Sequence, residues 1–124
     1  MNKEKKVLTK VEEQVMQVLW QQKQAFLKEV VEAMPLPTPH SNTVATILKI
    51  LIEKGFATAE AIGRNNLYKP TLSRDAYSRQ SLGKVVNNYF NGSYTGAVSF
   101  LVDQKQLSIE DLELLLQQMK QKED

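Results

Sequence analysis

Between Thr38 and Phe56 the chain reads TPHSNTVATILKILIEKGF, and this stretch constrains the fold more than any other. Val44, Ile47, Leu48, Leu51 and Ile52 follow the i, i+3, i+4, i+7, i+8 spacing of a helix with one apolar side. Such a stripe has to be covered by neighbouring elements. Thr38-Pro39 has the form of an N-cap followed by proline at the first helical position. Gly55 suits the left-handed residue that ends a helix. From Phe56 the period changes to two. FATAEAI, then GRNN, then LYKPTL read as two strands joined by a Gly/Asn turn, and Pro70 suits an edge strand.

Two helices precede this unit. In LTKVEEQVMQVLWQQ, Thr9 and Glu12 have capping-box spacing. Val11, Val15, Val18 and Leu19 then share a side, Met16 widens it, and Trp20 lies near the end. FLKEVVEAM places Leu27, Val30, Val31 and Met34 on one face, and the three prolines of PLPTP then break the chain. Three helices and a hairpin, in that order, form the plan of a winged helix-turn-helix. Element order alone leaves a small α+β domain with no groove to fill as the alternative.

After TLSR the pattern is helical to the end. Leu82, Val85, Val86, Tyr89 and Phe90 form another five-point stripe, and NGSYTG interrupts it. GAVSFLVDQK and LSIEDLELLLQQMKQ make two further helices, with Ser108 and Asp111 at capping-box-like spacing. Val98, Leu101 and Val102 share a face while Phe100 lies opposite. Leu112, Leu115, Leu116 and Met119 share a face while Leu114 lies away from it. Helices apolar on two sides need two neighbours, and a unit of about fifty residues has little core of its own. The expected fold is therefore mainly α. Residues 1–73 read as a winged-helix domain of three helices plus a β-hairpin wing. Residues 74–124 read as a three-helix dimerisation domain, with Phe100, Leu101, Leu112, Leu114 and Leu115 at a homodimer interface.

Little in the chain suggests chemistry. It has no cysteine, so disulfides, thiolate metal sites and cysteine nucleophiles are excluded, and a reducing compartment is expected. The single histidine, His40, adjoins Ser41, and adjacent residues cannot form a nucleophile–base pair. It reads as a polar residue at a helix start, and one histidine without cysteine makes no metal site. Gly63 belongs to no nucleotide-binding pattern. Glu12/Glu13 and Glu110/Asp111 sit in first helical turns, where the helix dipole favours them. No catalytic residue, cofactor or metal is expected. No apolar run reaches the roughly 18 to 20 residues of a membrane span, and the N-terminus lacks a secretion signal, so a cytoplasmic protein is expected.

The outward face of the 41–53 helix is the exception. Winding at about 100° per residue puts Lys49, Asn42 and Thr46 opposite the apolar stripe, flanked by Ala45, Ile50 and Thr43. Short side chains with amide and hydroxyl groups suit close approach to base edges and phosphates in a major groove. Lys49 and Arg64, the latter with Asn65 and Asn66 in the hairpin turn, are placed to meet phosphates or a minor groove. Residues 1–72 carry ten Lys/Arg against seven Asp/Glu, and residues 73–124 carry six against seven. That balance permits a nucleic-acid partner for the first part without demanding one. Asn42, Thr43, Ala45, Thr46, Lys49 and Arg64 are the candidate contacts to double-stranded DNA. The low net charge of +2 favours the rival reading, a winged-helix module that binds protein instead.

LTKVEEQVMQVLW, TVATILKILIEKGF, LYKPTLSRDAY, YFNGS and LSIEDLELL resemble, in order, successive motifs of the penicillinase-repressor family of bacterial winged-helix transcriptional repressors. The resemblance covers nearly the whole chain. It implies a homodimer whose winged helices occupy inverted-repeat operators and whose C-terminal helices form the interface. It also implies relief of repression by a membrane sensor-protease pathway that leads to cutting of an Asn-Phe bond, for which the matching bond here is Ser99-Phe100. Ala45 stands where better-known members can carry arginine. Copper-responsive relatives use C-terminal cysteines, which this chain lacks.

Overall fold

A computed structural model of the chain describes residues 7–123. The elements run α1 (Lys10–Gln22), β1 (Ala25–Phe26), α2 (Leu27–Ala33), α3 (Ser41–Glu53), β2 (Ala57–Ile62), β3 (Asn65–Pro70), α4 (Arg74–Tyr89), α5 (Tyr94–Asp103) and α6 (Ile109–Glu123). It is mainly helical, with the three helices and hairpin of a winged helix-turn-helix. The chain divides into two compact units, one ending at Tyr77 and the other beginning at Ser78. The division falls within α4, a few residues past the junction read from the sequence.

In the first unit the expected capping box forms. The Thr9 hydroxyl accepts from the Glu12 amide at 3.2 Å, and the Glu12 carboxylate accepts from the Thr9 amide at 2.9 Å. Val15, Met16 and Leu19 of α1 meet Val30 of α2 and Val44, Leu48 and Leu51 of α3 in one buried cluster with Phe56. Val11 is not part of it. At that turn Glu12 is the buried residue, because its carboxylate caps the helix and pairs with Lys54, and Val11 is left exposed.

Three further details differ from the sequence reading. The cap of α3 is His40, not Thr38: its Nδ1 accepts from the Asn42 amide at 3.0 Å, so the helix starts two residues past Pro39. The hairpin turn is Gly63-Arg64 alone, while Asn65 and Asn66 already pair with Ile62 and Ala61 in the ladder. Gly63 has φ +62° and Arg64 is not left-handed, the sense of a II′ turn that suits strand twist. Finally, β1 adds a third strand, giving the order β1-β3-β2. Pro70 thus ends a central strand. It is tolerated because β1 pairs only with Leu67 and Tyr68 and stops short of it.

The end of α3 is tightly closed. The Phe56 amide donates to Leu51 O at 2.9 Å and the Gly55 amide to Ile52 O at 3.0 Å, with Gly55 at φ +84°; together these make a Schellman motif. Thr71 returns from the wing to the same corner, its hydroxyl donating to Gly55 O at 2.6 Å. Trp20 Nε1 donates to Leu72 O at 2.8 Å. Tyr77 lies edge-on to Phe56, with ring centroids 5.6 Å apart, and 5.9 Å from Trp20.

In the second unit Ser93 caps α5 through the Gly96 amide, and Ser108 and Asp111 exchange hydrogen bonds at the start of α6. At Gly83 a Cβ would lie 3.3 Å from the Tyr94 hydroxyl, so the glycine leaves room for the end of that side chain. The Phe90 and Phe100 rings are 5.4 Å apart. Val86 is buried, yet neither α5 nor α6 has a buried residue.

Candidate nucleic-acid interface

The face of α3 away from the core carries the residues singled out from the sequence. Asn42, Thr43, Thr46 and Lys49 are exposed and Ala45 is half-buried, while Val44, Ile47 and Leu48 between them are buried. One helix therefore anchors and presents at once. His40 fixes its first turn through the Asn42 amide. The Thr46 hydroxyl donates to Asn42 O at 3.0 Å. With that proton committed, Thr46 offers a methyl group and an acceptor oxygen outward, not a donor.

Arg64 is exposed at the wing tip, beside Asn65 and Asn66. Lys69 further along β3 is engaged by Glu60 at 3.0 Å. A groove of about 630 Å³ lies between α2, the start of α3 and the wing, and Arg64, Asn65 and Asn66 line it together with Ser41 and Lys28. Lys28 and Ser41 carried no signal in the sequence. Lys28 comes to the wing because β1 sets Phe26 opposite Leu67, a two-residue pairing that periodicity cannot reveal, while Ser41 opens α3.

Lys54, which caps α3, is held by Glu12 at 2.7 Å and by Val7 O at 3.3 Å. Burial pushes the Glu12 carboxyl up, but the hydrogen bonds from Lys54 and Thr9 and the Lys54 charge outweigh it and hold the group below the usual carboxylate range. The far end of α3 is thereby tied to α1.

The candidate interface residues of the second unit are all on its surface or close to it. Phe100, Leu101, Leu114 and Leu115 are exposed and Leu112 half-buried; Ser99, beside Phe100 in α5, is exposed. Among the described residues no group of acidic and histidine side chains is arranged to hold a metal ion, and no helix is long and apolar enough to cross a membrane.

The family model described as penicillinase repressor matches residues 8–121 of the chain. Among solved structures, one described as the CopR repressor is similar at 28% identity and a TM-score of 0.46, covering 54% of this chain and 99% of that one. No curated protein sequence matches significantly.

Proposed function

The chain belongs to the penicillinase repressor family, and on that premise we propose that it represses transcription as a homodimer bound to inverted-repeat operator DNA. In this reading α3 enters the major groove, Asn42, Thr43, Ala45 and Thr46 meet base edges, and Lys49 and Arg64 meet phosphates. The observation that carries it is the division of α3 into a buried stripe and an exposed face of short hydrogen-bonding side chains ending in one cation. An amide suits adenine, and a threonine methyl suits thymine.

The dimer reading rests on the second unit, where Phe100, Leu101, Leu114 and Leu115 are exposed apolar residues on α5 and α6. Two copies joined there would hold two recognition helices at a set distance, so binding depends on half-site spacing. Repression is relieved, in the same proposal, by a membrane sensor-protease pathway that leads to cutting at Ser99-Phe100. Both residues are exposed, and a cut there divides α5.

The deciding experiment is a mobility shift with DNA from the promoter of its own gene, at two salt concentrations and with altered half-site spacings. A retarded complex that weakens with salt and with spacing is the expected result. No complex on that DNA would overturn the operator reading. Recovery of an intact chain under every inducing condition would overturn the proteolytic step.

A further inference from the structure

We propose that the groove between α2, the start of α3 and the wing seats the sugar–phosphate backbone of one DNA strand, with Lys28 as a phosphate contact; this rests on the DNA-binding reading above. Lys28 on α2 and Arg64 at the wing tip both line the groove. Both are exposed, and among the described residues neither has an ion-pair partner. Two unpaired cations lining one groove favour an anion, and long cationic side chains are the usual phosphate contacts of DNA-binding domains.

The other linings narrow the choice of anion. Ser41, Asn65 and Asn66 add hydroxyl and amide groups of the kind that join Lys and Arg on phosphate oxygens. Phe26, Leu27 and Val31 supply an apolar wall. A bare inorganic ion gains nothing from such a wall, whereas the C–H face of a deoxyribose packs on it. The volume, about 630 Å³, is also far more than one small ion needs. Ser41, moreover, is the first residue of α3, so the groove runs on into the helix face that begins with Asn42 and Thr43. A strand in the groove would remain continuous with the strand whose bases α3 reads.

Glu29 opposes this occupant from the same lining. One of its carboxylate oxygens accepts from the Phe26 amide at 2.8 Å, a role that a glutamine carbonyl can also fill. Its charge therefore weakens binding of any backbone and can be removed without disturbing the helix start.

The test measures binding of the full chain to a mixed-sequence duplex over a range of salt. Lys28→Ala should lower the slope of log affinity against log salt by about 0.9. Its loss of affinity between about 50 and 200 mM salt should then be about 3.5-fold smaller than that of the unaltered chain. Glu29→Gln should bind more tightly at every salt concentration, a gain that a folding defect cannot produce. An unchanged slope in Lys28→Ala, or a Glu29→Gln chain that binds no tighter, would overturn the proposal. An unaltered chain that binds no duplex in a salt-dependent way would instead remove the DNA-binding reading on which the proposal rests.

Discussion

The Lys54 ammonium, at the closing residue of α3, lies 2.7 Å from the Glu12 carboxylate in the first turn of α1. The same carboxylate oxygen accepts from the Thr9 amide, so one buried acid caps one helix and anchors the end of another. Glu12→Ala removes both roles. Lys54 keeps access to water, with its side chain 28% exposed, so the loss should be about 2 kcal/mol, less than for a fully buried pair. Acid should show the same link. The folded-state pKa of Glu12 lies below its ordinary value. Its contribution is therefore complete above the ordinary glutamate value of about 4.3 and disappears as pH falls through the depressed one. Urea midpoints measured from neutral pH down through that window should fall more for the unaltered chain than for Glu12→Gln. Parallel curves would refute the link.

Thr46 donates its hydroxyl proton to Asn42 O, which leaves it a methyl and an acceptor to offer a base edge in the proposed complex. Thr46→Ala and Asn42→Ala should each lower discrimination between operator and mixed-sequence DNA by roughly 1–3 kcal/mol. Lys49→Ala and Arg64→Ala should instead weaken binding on both DNAs and reduce the salt dependence. Titrations on both duplexes separate the two classes. Equal losses on both duplexes for Thr46→Ala would remove it from the base-reading set.

The features legible in the sequence were those determined by near neighbours. The Thr9–Glu12 box is a three-residue relation, and the buried stripe of α3 follows from helical period alone. What was not legible depended on distant chain. Thr38-Pro39 has sound cap chemistry, yet His40 caps α3, and local preference could not rank the two. Strand β1 is two residues long, too short for any period to show. Without it Pro70 reads as an edge residue, and Lys28 has no reason to be associated with Arg64. The outward face of α3 was thus readable residue by residue, whereas the groove beside it exists only once β1 has paired with β3.

Gly55 sits at φ +84° between α3 and the wing, where an L side chain is strained. Gly55→Ala should cost about 1 kcal/mol of stability. The Gly55 and Phe56 amides bond back to α3, so the strain falls on the joint that positions the wing. A denaturation midpoint equal to that of the unaltered chain would show that the turn relaxes freely.

Tyr77 belongs to α4 but is buried against the first unit, its ring beside Phe56 and Trp20 and its hydroxyl accepting from the Leu8 amide at 3.3 Å. Tyr77→Ala should cost about 3 kcal/mol or more, because a large ring leaves a cavity and a buried amide loses its partner. A chain truncated after residue 73 should accordingly be less stable than one truncated after residue 82. Thermal melts of the two fragments test this, and equal midpoints would mean that the ring contributes nothing.

Leu114 is 56% exposed on α6 and Phe100 48% exposed on α5. Single exposed apolar residues are ordinary, but here Leu101, Leu115, Leu116 and Met119 are also open, and no residue of either helix is fully buried. Exposed apolar side chains in this number call for a cover, which in the proposed homodimer a second copy would supply. Leu114→Asp is a discriminating change because an exposed position tolerates aspartate in the single chain. At the centre of an interface the same change costs about 2 kcal/mol or more, a rise of roughly 30-fold in the dimer dissociation constant. Operator affinity should fall with it, since each winged helix would then bind its half-site without the gain from linkage. Affinity per chain for mixed-sequence DNA should change little. Sedimentation velocity over a range of concentrations reads the first effect and titration on the two DNAs the second. Leu114→Asp and Phe100→Asp chains that both sediment as the unaltered protein would move the interface off these helices.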